Sequence, residues 1–196
     1  MPTKSTILPK SWPTDLAVTY LTQLKYSSKI TPGILTALNT PPPANTIINT
    51  PISPSAIIRI RPITLSTHPA YNQHGLFALR ALQPDSFILL YLGYVHTQDD
   101  TDETSDYDLS MDRELGVSID AAKMGNEARF INDYRGITAR PNAEFRDVWI
   151  RQGARVERRI GVYVKRDVGK KGISKGEEIV VSYGKGFWNE RTGATE

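Results

Sequence analysis

Short apolar, β-branched runs cut apart by turn signals constrain this chain more than any other feature. Ile57, Ile58 and Ile60 are closed off by Arg61-Pro62, and Gly75–Leu79 and Phe87–Leu92 are separated by Gln83-Pro84-Asp85. Val117–Ile119, Val148–Ile150, Ile160–Val164 and Ile179–Tyr183 follow. Runs of this length, with Pro, Gly and Asp between them, read as strands. Many short strands with few helices predict several small sheets, not a doubly wound α/β sheet. The expected class is therefore mostly β with short helices, α+β. Upstream, 1–13 and 39–55 are rich in Pro, Thr, Ser and Asn, which favour extended and turn conformations. Between them Leu16, Tyr20, Leu21 and Leu24 recur at helical spacing behind Thr14 as an N-cap, which predicts a helix over 14–25. The expected organisation is an accessory segment over 1–56, one domain over 57–190 and a tail over 191–196.

A chain of 196 residues that is 39% hydrophobic can bury one core. It has no cysteine, so disulfides and thiolate zinc sites are excluded and packing must stabilise the fold. No apolar run approaches the length of a membrane span, and no signal-peptide core follows Met1, so a soluble intracellular chain is expected. The net charge of +3 is unevenly spread. Residues 1–84 hold seven Lys or Arg and one acid, Asp15; residues 99–108 then hold six acids, Asp99, Asp100, Asp102, Glu103, Asp106 and Asp108. Residues 151–175 reverse the sign, with nine Lys or Arg against Glu157 and Asp167. Each block alone reads as a solvated face. Two opposite blocks on one domain point to charged partners.

Several chemistries lack their residues. His68, His74 and His96 show no metal-ligand spacing, and no His-Glu-x-x-His or phosphate-loop pattern occurs, so no metal site is expected. No Gly-x-Ser-x-Gly elbow supports a serine nucleophile.

Three segments, in order, carry a positive signal: His74-Gly75-Leu76-Phe77-Ala78, then Gly125-Asn126-Glu127-Ala128-Arg129-Phe130-Ile131-Asn132, then Gly176-Glu177-Glu178-Ile179 through Tyr183-Gly184 with Phe187-Trp188 beyond. Together they resemble the SET domain of protein-lysine methyltransferases, over about 57–190. Gln73 stands where the family has the first glycine of Gly-x-Gly. Tyr91–Val95 is similar to the strand ending in Gly-Glu-Val, with Tyr94 for the acid, and Tyr107-Asp108-Leu109 to Tyr-x-Phe. Asp133-Tyr134-Arg135 replaces His-Ser-Cys after Asn132, and Pro141-Asn142 arrives four residues late. The short type without a cysteine-rich post-SET module is the matching one.

The resemblance implies a SET fold of small β-sheets and S-adenosylmethionine as cofactor. It implies contacts to that cofactor from His74, Gly75, Leu76, Tyr107, Arg129, Phe130, Ile131, Asn132, Asp133, Tyr183 and Trp188. Tyr183 falls on the catalytic tyrosine, and Tyr107 on the aromatic bordering the lysine channel. Methylating a lysine requires its amine deprotonated although the free pKa is about 10.4. An aromatic channel that excludes water disfavours the ammonium and aligns nitrogen with the methyl group. Phe187 and Trp188 would cover the adenine. Val181, two residues before Tyr183, is placed to influence how many methyl groups fit, with strand packing as the competing explanation.

Asp99, Asp100, Asp102, Glu103 and Asp106 lie where the family builds its substrate groove, and their charge would draw in a Lys/Arg-rich peptide. A histone tail or another basic protein is the expected substrate and partner, with a chromatin contact through 151–175, a homodimer, and the nucleus or else the cytoplasm as location. Residues 151–175 read first as a solvated hairpin. Two other readings stay open. One is a non-catalytic SET-like domain that binds a basic peptide or chromatin; the other is a nucleic-acid binder using 151–175.

Overall fold

The computed structural model describes residues 7–40, 47–48, 56–153, 155–169 and 171–184. Short strands dominate and one α-helix occurs among them, so the fold class is the mostly β arrangement of small sheets that the sequence predicts. No helix among the described residues is long and apolar enough to cross a membrane. The chain divides into two compact units, 1–56 with 87–129 and 145–162, and 57–86 with 130–144 and 163–196.

The first unit holds most of the strands. Lys25–Tyr26, Tyr94–Thr97, Val117–Asp120 and Asp108–Asp112 form a four-stranded sheet in that order. Tyr94 pairs with Asp120 and Thr97 with Val117, and a bulge between Ser110 and Asp112 shifts the outer strand. Val95, Val117 and Ile119 alternate inward and are almost fully buried. A second sheet runs Ile47–Ile48, Ala143–Gln152, Arg155–Val164 and Phe87–Leu90, and the last residues of the third strand belong to the other unit. Gly125 is packed where a Cβ would meet the Leu92 carbonyl at 3.0 Å and Ala121 Cβ at 3.1 Å, which explains the glycine that opens the motif.

The predicted helix over 14–25 is not formed. Thr19–Tyr20 and Lys25–Tyr26 are strands, paired in parallel with Met124–Gly125 and with Tyr94–Val95. Thr19, Leu21, Lys25 and Ser27 donate their amides to Lys123, Gly125, Gly93 and Val95, so the backbone is satisfied by other strands and not by a helical turn. Tyr20 and Leu24 are buried all the same, which is why their spacing imitated an amphipathic face. The α-helix is Pro32–Asn39: Thr31 Oγ1 accepts from the Ile34 amide at 3.3 Å and proline stands at its first turn.

The basic run is also less solvated than its composition suggests. Arg158 bonds Asp112 at 2.6 Å and Asp147 at 2.8 Å, and buried Arg159 pairs with Glu157 and donates to the Tyr26 hydroxyl at 3.2 Å. Lys165 reaches Asp167 at 3.5 Å, and Arg166 reaches Asp85 at 3.0 Å. The expectation of a solvated hairpin therefore fails for Arg158 and Arg159, because Asp112 and Asp147 on other strands neutralise Arg158 and Glu157 on its own strand pairs with Arg159. Arg151, Arg155, Lys171 and Lys175 are exposed.

The second unit is smaller. Ile58–Pro62 pairs antiparallel with His74–Ala78, from Ile58 with Ala78 to Pro62 with His74. Asn132–Asp133 pairs in parallel with Val180–Val181. The Ala78 amide bonds the Glu177 carbonyl and the Ile179 amide bonds the Leu76 carbonyl, so 176–179 is fastened to the strand His74–Ala78. Leu76, Ala78, Ile173, Ile179, Val180 and Val181 are fully buried in this unit.

Candidate functional site

The polar centre of the second unit forms where two of the sequence motifs become adjacent strands. Asn132, matched with Val180 across the parallel pair, donates through Nδ2 to Glu178 Oε1 at 2.8 Å and to the His74 carbonyl at 3.2 Å. Both partners are acceptors, so the amide orientation is fixed and both its hydrogens are committed. Its Oδ1 accepts no hydrogen bond among the described residues and is turned away from those partners. Glu178 Oε2 meets His68 Nε2 at 3.0 Å, and both side chains are 9% exposed. Gly75 lies directly against this carboxylate: a Cβ there would stand 2.6 Å from Glu178 Oε1 and 3.0 Å from Ile63 and Phe77. Any side chain at 75 would have to displace that carboxylate, which favours glycine there.

Tyr183 is fixed twice. Its hydroxyl donates to the Ile131 carbonyl at 2.7 Å, and its amide donates to Asp133 Oδ2, also at 2.7 Å. Asp133, which stands where the SET pattern has histidine, is buried and also receives the Arg135 amide at 2.9 Å and the Arg135 guanidinium at 3.2 Å. Its carboxylate thus holds the Tyr183 backbone and the turn after Asn132. Phe130 and Ile131 are buried, and Phe130 meets the His74 ring edge-on at 5.8 Å.

Val181 is fully buried, and its carbonyl accepts from the Tyr134 amide. Asn142 ties the same strand from the other side. Its Nδ2 donates to the Glu178 carbonyl at 2.7 Å and to Glu177 Oε1 at 3.2 Å, while its Oδ1 accepts from the Val180 amide at 2.9 Å. The seven residues Tyr134–Arg140 therefore form a loop between the Asp133 and Asn142 anchors, which is how the late arrival of Pro141-Asn142 is accommodated.

Tyr107 and Arg129 lie in the first unit. The Arg129 guanidinium sits 4.4 Å from the Tyr107 ring centroid and its Nε donates to the Ala121 carbonyl at 2.9 Å. The Tyr107 carbonyl accepts from the Tyr91 hydroxyl at 2.7 Å. Arg129 is buried by this work, so within this unit it serves to orient Tyr107. Glu127 is buried in the same motif, and burial raises its carboxyl above the usual range; the Tyr20 hydroxyl, 3.4 Å away, has its own pKa raised by burial and then by that carboxylate.

The acidic block is partly neutralised by its own unit. Asp100 pairs with Lys29 at 2.9 Å and accepts from the Ser27 hydroxyl, and these contacts lower its pKa, the Lys29 bond first. Asp102 accepts from Thr104 Oγ1 at 2.6 Å and pairs with Lys123 at 2.9 Å, which holds its carboxyl at about 2. Asp108 meets buried His96 at 3.1 Å, yet burial pushes its pKa up. Asp99, Glu103 and Asp106 are exposed. Phe187 and Trp188 lie outside the described residues.

Sequence reasoning passed over His68, Glu178 and Asn142 as site residues. His68 is 110 residues from Glu178, and no periodicity joins positions so distant. Glu178 and Asn142 stood inside recognised motifs, where an acid and an amide on buried strands were the available signal. Among the described residues, no group of three or more His, Asp or Glu could hold a metal ion.

The family model described as SET domain matches residues 73–184, more than half of the chain. No curated protein sequence matches. Among solved structures the fold is similar to the Chaetomium thermophilum polycomb repressive complex 2, with TM-score 0.51 and 23% identity over 67% of this chain and 16% of that one. It is similar also to a humanized mutant of that complex bound to an inhibitor, with TM-score 0.50 and 23% identity over 65% of this chain and 15% of that one. This chain thus spans about a sixth of the length of those relatives, and the likeness is one of fold. With the ordered motifs, the small sheets and the family match in agreement, the chain belongs to the SET domain family.

Proposed function

We propose that this chain is an S-adenosylmethionine-dependent protein-lysine methyltransferase acting on a basic protein, with a histone tail as the first candidate substrate and the nucleus as its place of work. The observation that carries the reading is Asn132: it ends the strongest family motif, and its side chain is held so that only a carbonyl oxygen remains to offer. S-adenosylmethionine, when bound, supplies an electrophilic methyl on a sulfonium, and its amino-acid end carries an ammonium. An outward acceptor fits those cationic groups. His74, Gly75, Asn132 and Tyr183 are the residues of the second unit that would hold it.

The protein's part in methyl transfer is positioning and exclusion of water. Donation to the Ile131 carbonyl holds the Tyr183 hydroxyl oxygen in one place, as aligning a lysine nitrogen requires. The ring of Tyr183 forms an apolar wall that favours the neutral amine over the ammonium. The exposed Asp99 and Glu103 attract a basic peptide, with Asp106 exposed beside them, while Asp100 and Asp102 pair with lysines.

A second reading is favoured by Asp133, whose carboxylate is spent on Arg135 and on the Tyr183 amide: a SET domain that binds a basic peptide without turnover. Calorimetry with S-adenosylmethionine, followed by labelled-methyl incorporation into mixed histones and a basic protein extract, separates the two. Binding that Asn132→Ala strongly weakens, with incorporation, supports the enzyme. Binding without incorporation moves the assignment to the peptide binder, and no binding by the wild type refutes the methyltransferase reading.

A further inference from the structure

The loop between the strands Ile58–Pro62 and His74–Ala78 contributes a group to this site that neither the motifs nor the family match assigns. His68 Nδ1 accepts from the Ala70 amide at 3.0 Å, so Nδ1 is unprotonated and the ring proton sits on Nε2. Nε2 is then the donor to Glu178 Oε2 at 3.0 Å. The other oxygen of that carboxylate receives Asn132 Nδ2 at 2.8 Å, and the Gly75 backbone is packed against it. The loop itself is closed: Ile63 bonds the Gln73 carbonyl, Asn72 bonds the Ile63 carbonyl, and the His68, Tyr71 and Gln73 amides bond carbonyls within it. A buried carboxylate with one oxygen restrained by His68 cannot swing, so its second oxygen presents one fixed acceptor to Asn132.

We infer that His68 is a positioning residue which, through Glu178, locks the Asn132 amide with its hydrogens inward and its carbonyl toward the ligand, and so sets affinity for the ammonium-bearing end of S-adenosylmethionine. The inference rests on the methyltransferase reading for the identity of the ligand. The locking of Asn132 stands on geometry alone. If His68 were removed, Glu178 would keep Asn132 as a partner but lose the restraint that holds it there, and the amide would be left with only the His74 carbonyl as a fixed acceptor.

The test compares His68→Gln, whose amide can still donate to Glu178, with His68→Met, which fills the space without a donor, and with His68→Ala. S-adenosylmethionine affinity is measured calorimetrically in each, and again in the Asn132→Ala background. The side-chain amide resonances of Asn132 are followed by nuclear magnetic resonance without ligand. Expected are a loss of roughly tenfold in affinity for His68→Met, recovery of most of it in His68→Gln, and no further loss when His68→Met is added to Asn132→Ala. The Asn132 amide resonances should shift and broaden in His68→Met and return in His68→Gln. Equal affinity for the Met and Gln variants, or losses that add in the double variant, overturn the inference, as does an Asn132 amide signal indifferent to His68. If the wild type binds no S-adenosylmethionine, the methyltransferase reading falls and the amide signals alone decide. Should His68→Ala fail to fold, the Met and Gln pair carries the comparison.

Discussion

Asn142→Ala is the perturbation whose cost can be worked most directly from the contacts. The side chain is 6% exposed and makes three hydrogen bonds, to the Glu178 carbonyl, to Glu177 Oε1 and from the Val180 amide. Truncation strips a buried carbonyl and a buried amide of these partners and removes a charge-assisted bond. Each uncompensated buried group costs roughly 1–3 kcal/mol, so a total loss of roughly 2–6 kcal/mol is expected for the two. Against a typical stability of roughly 5–15 kcal/mol this is a large fraction. Urea unfolding followed by tryptophan fluorescence would show a lower midpoint at unchanged slope. Asn142→Asp sharpens the argument, since it keeps an acceptor for Val180 but sets a carboxyl against the Glu178 carbonyl and the Glu177 carboxylate. The folded state raises the pKa of that introduced group above its unfolded value of about 3.9. The Asp variant should therefore be nearer the wild type at low pH and lose stability as pH rises through the raised folded value. A loss below roughly 1 kcal/mol for Asn142→Ala, or an Asp variant with no such pH trend, would refute the assignment of Asn142 as the tie on this strand.

Tyr183→Phe should lower methyl transfer on the order of a hundredfold at equal cofactor occupancy. It should also cost roughly 1 kcal/mol of stability, because the Ile131 carbonyl loses its donor; equal incorporation by both proteins would remove Tyr183 from the mechanism. Burial raises the Glu127 carboxyl, so its ionisation opposes folding as pH rises through the folded value. Glu127→Gln should accordingly raise the melting temperature at pH 7–8, with the gain fading below the ordinary carboxylate range, about 4.3; a lower melting temperature at neutral pH would contradict this. Replacing exposed Asp99 and Glu103 by Asn and Gln should flatten the salt dependence of histone-peptide binding more than replacing Asp100 and Asp102, which are already paired with lysines. Equal effects of the two pairs, measured by fluorescence anisotropy over a salt series, would show that internal pairing does not matter.

The fold class was legible because strand length and turn residues are local properties. The site was legible only as far as motifs reach. Gly125–Asn132 and Gly176–Gly184 announced themselves, but nothing in their spacing says that Asn132 faces Val180 in a parallel pair. The helix expected over 14–25 failed because Tyr20 and Leu24 are buried by strands far along the chain, a pairing that a local period cannot report. The helix at Pro32–Asn39 went unread because Gly33 and Thr36 dilute its propensity while Thr31 and Pro32 start it. Gly75 resembled a cofactor-facing glycine, and the structure adds a second reason for it, the approach of Glu178. Similarly, the charge blocks gave sign and position but not that Arg158 and Arg159 face acids.

The tie between Tyr183 and Ile131 spans 52 residues, and the strands beside which they lie, Asn132–Asp133 and Val180–Val181, are only two residues long each. Contacts so distant in sequence and so brief in extent cannot nucleate folding, because the loop between them must close before either strand is stabilised. During synthesis, at roughly 5–20 residues per second, the Asn132 strand waits several seconds for its partner. In the interval Asn132 and Asp133 have neither Glu178 nor Tyr183 to bind, so a nascent chain that has completed its antiparallel sheets still has no ligand-competent centre. Competence arrives with the emergence of Val180–Tyr183, late and all at once.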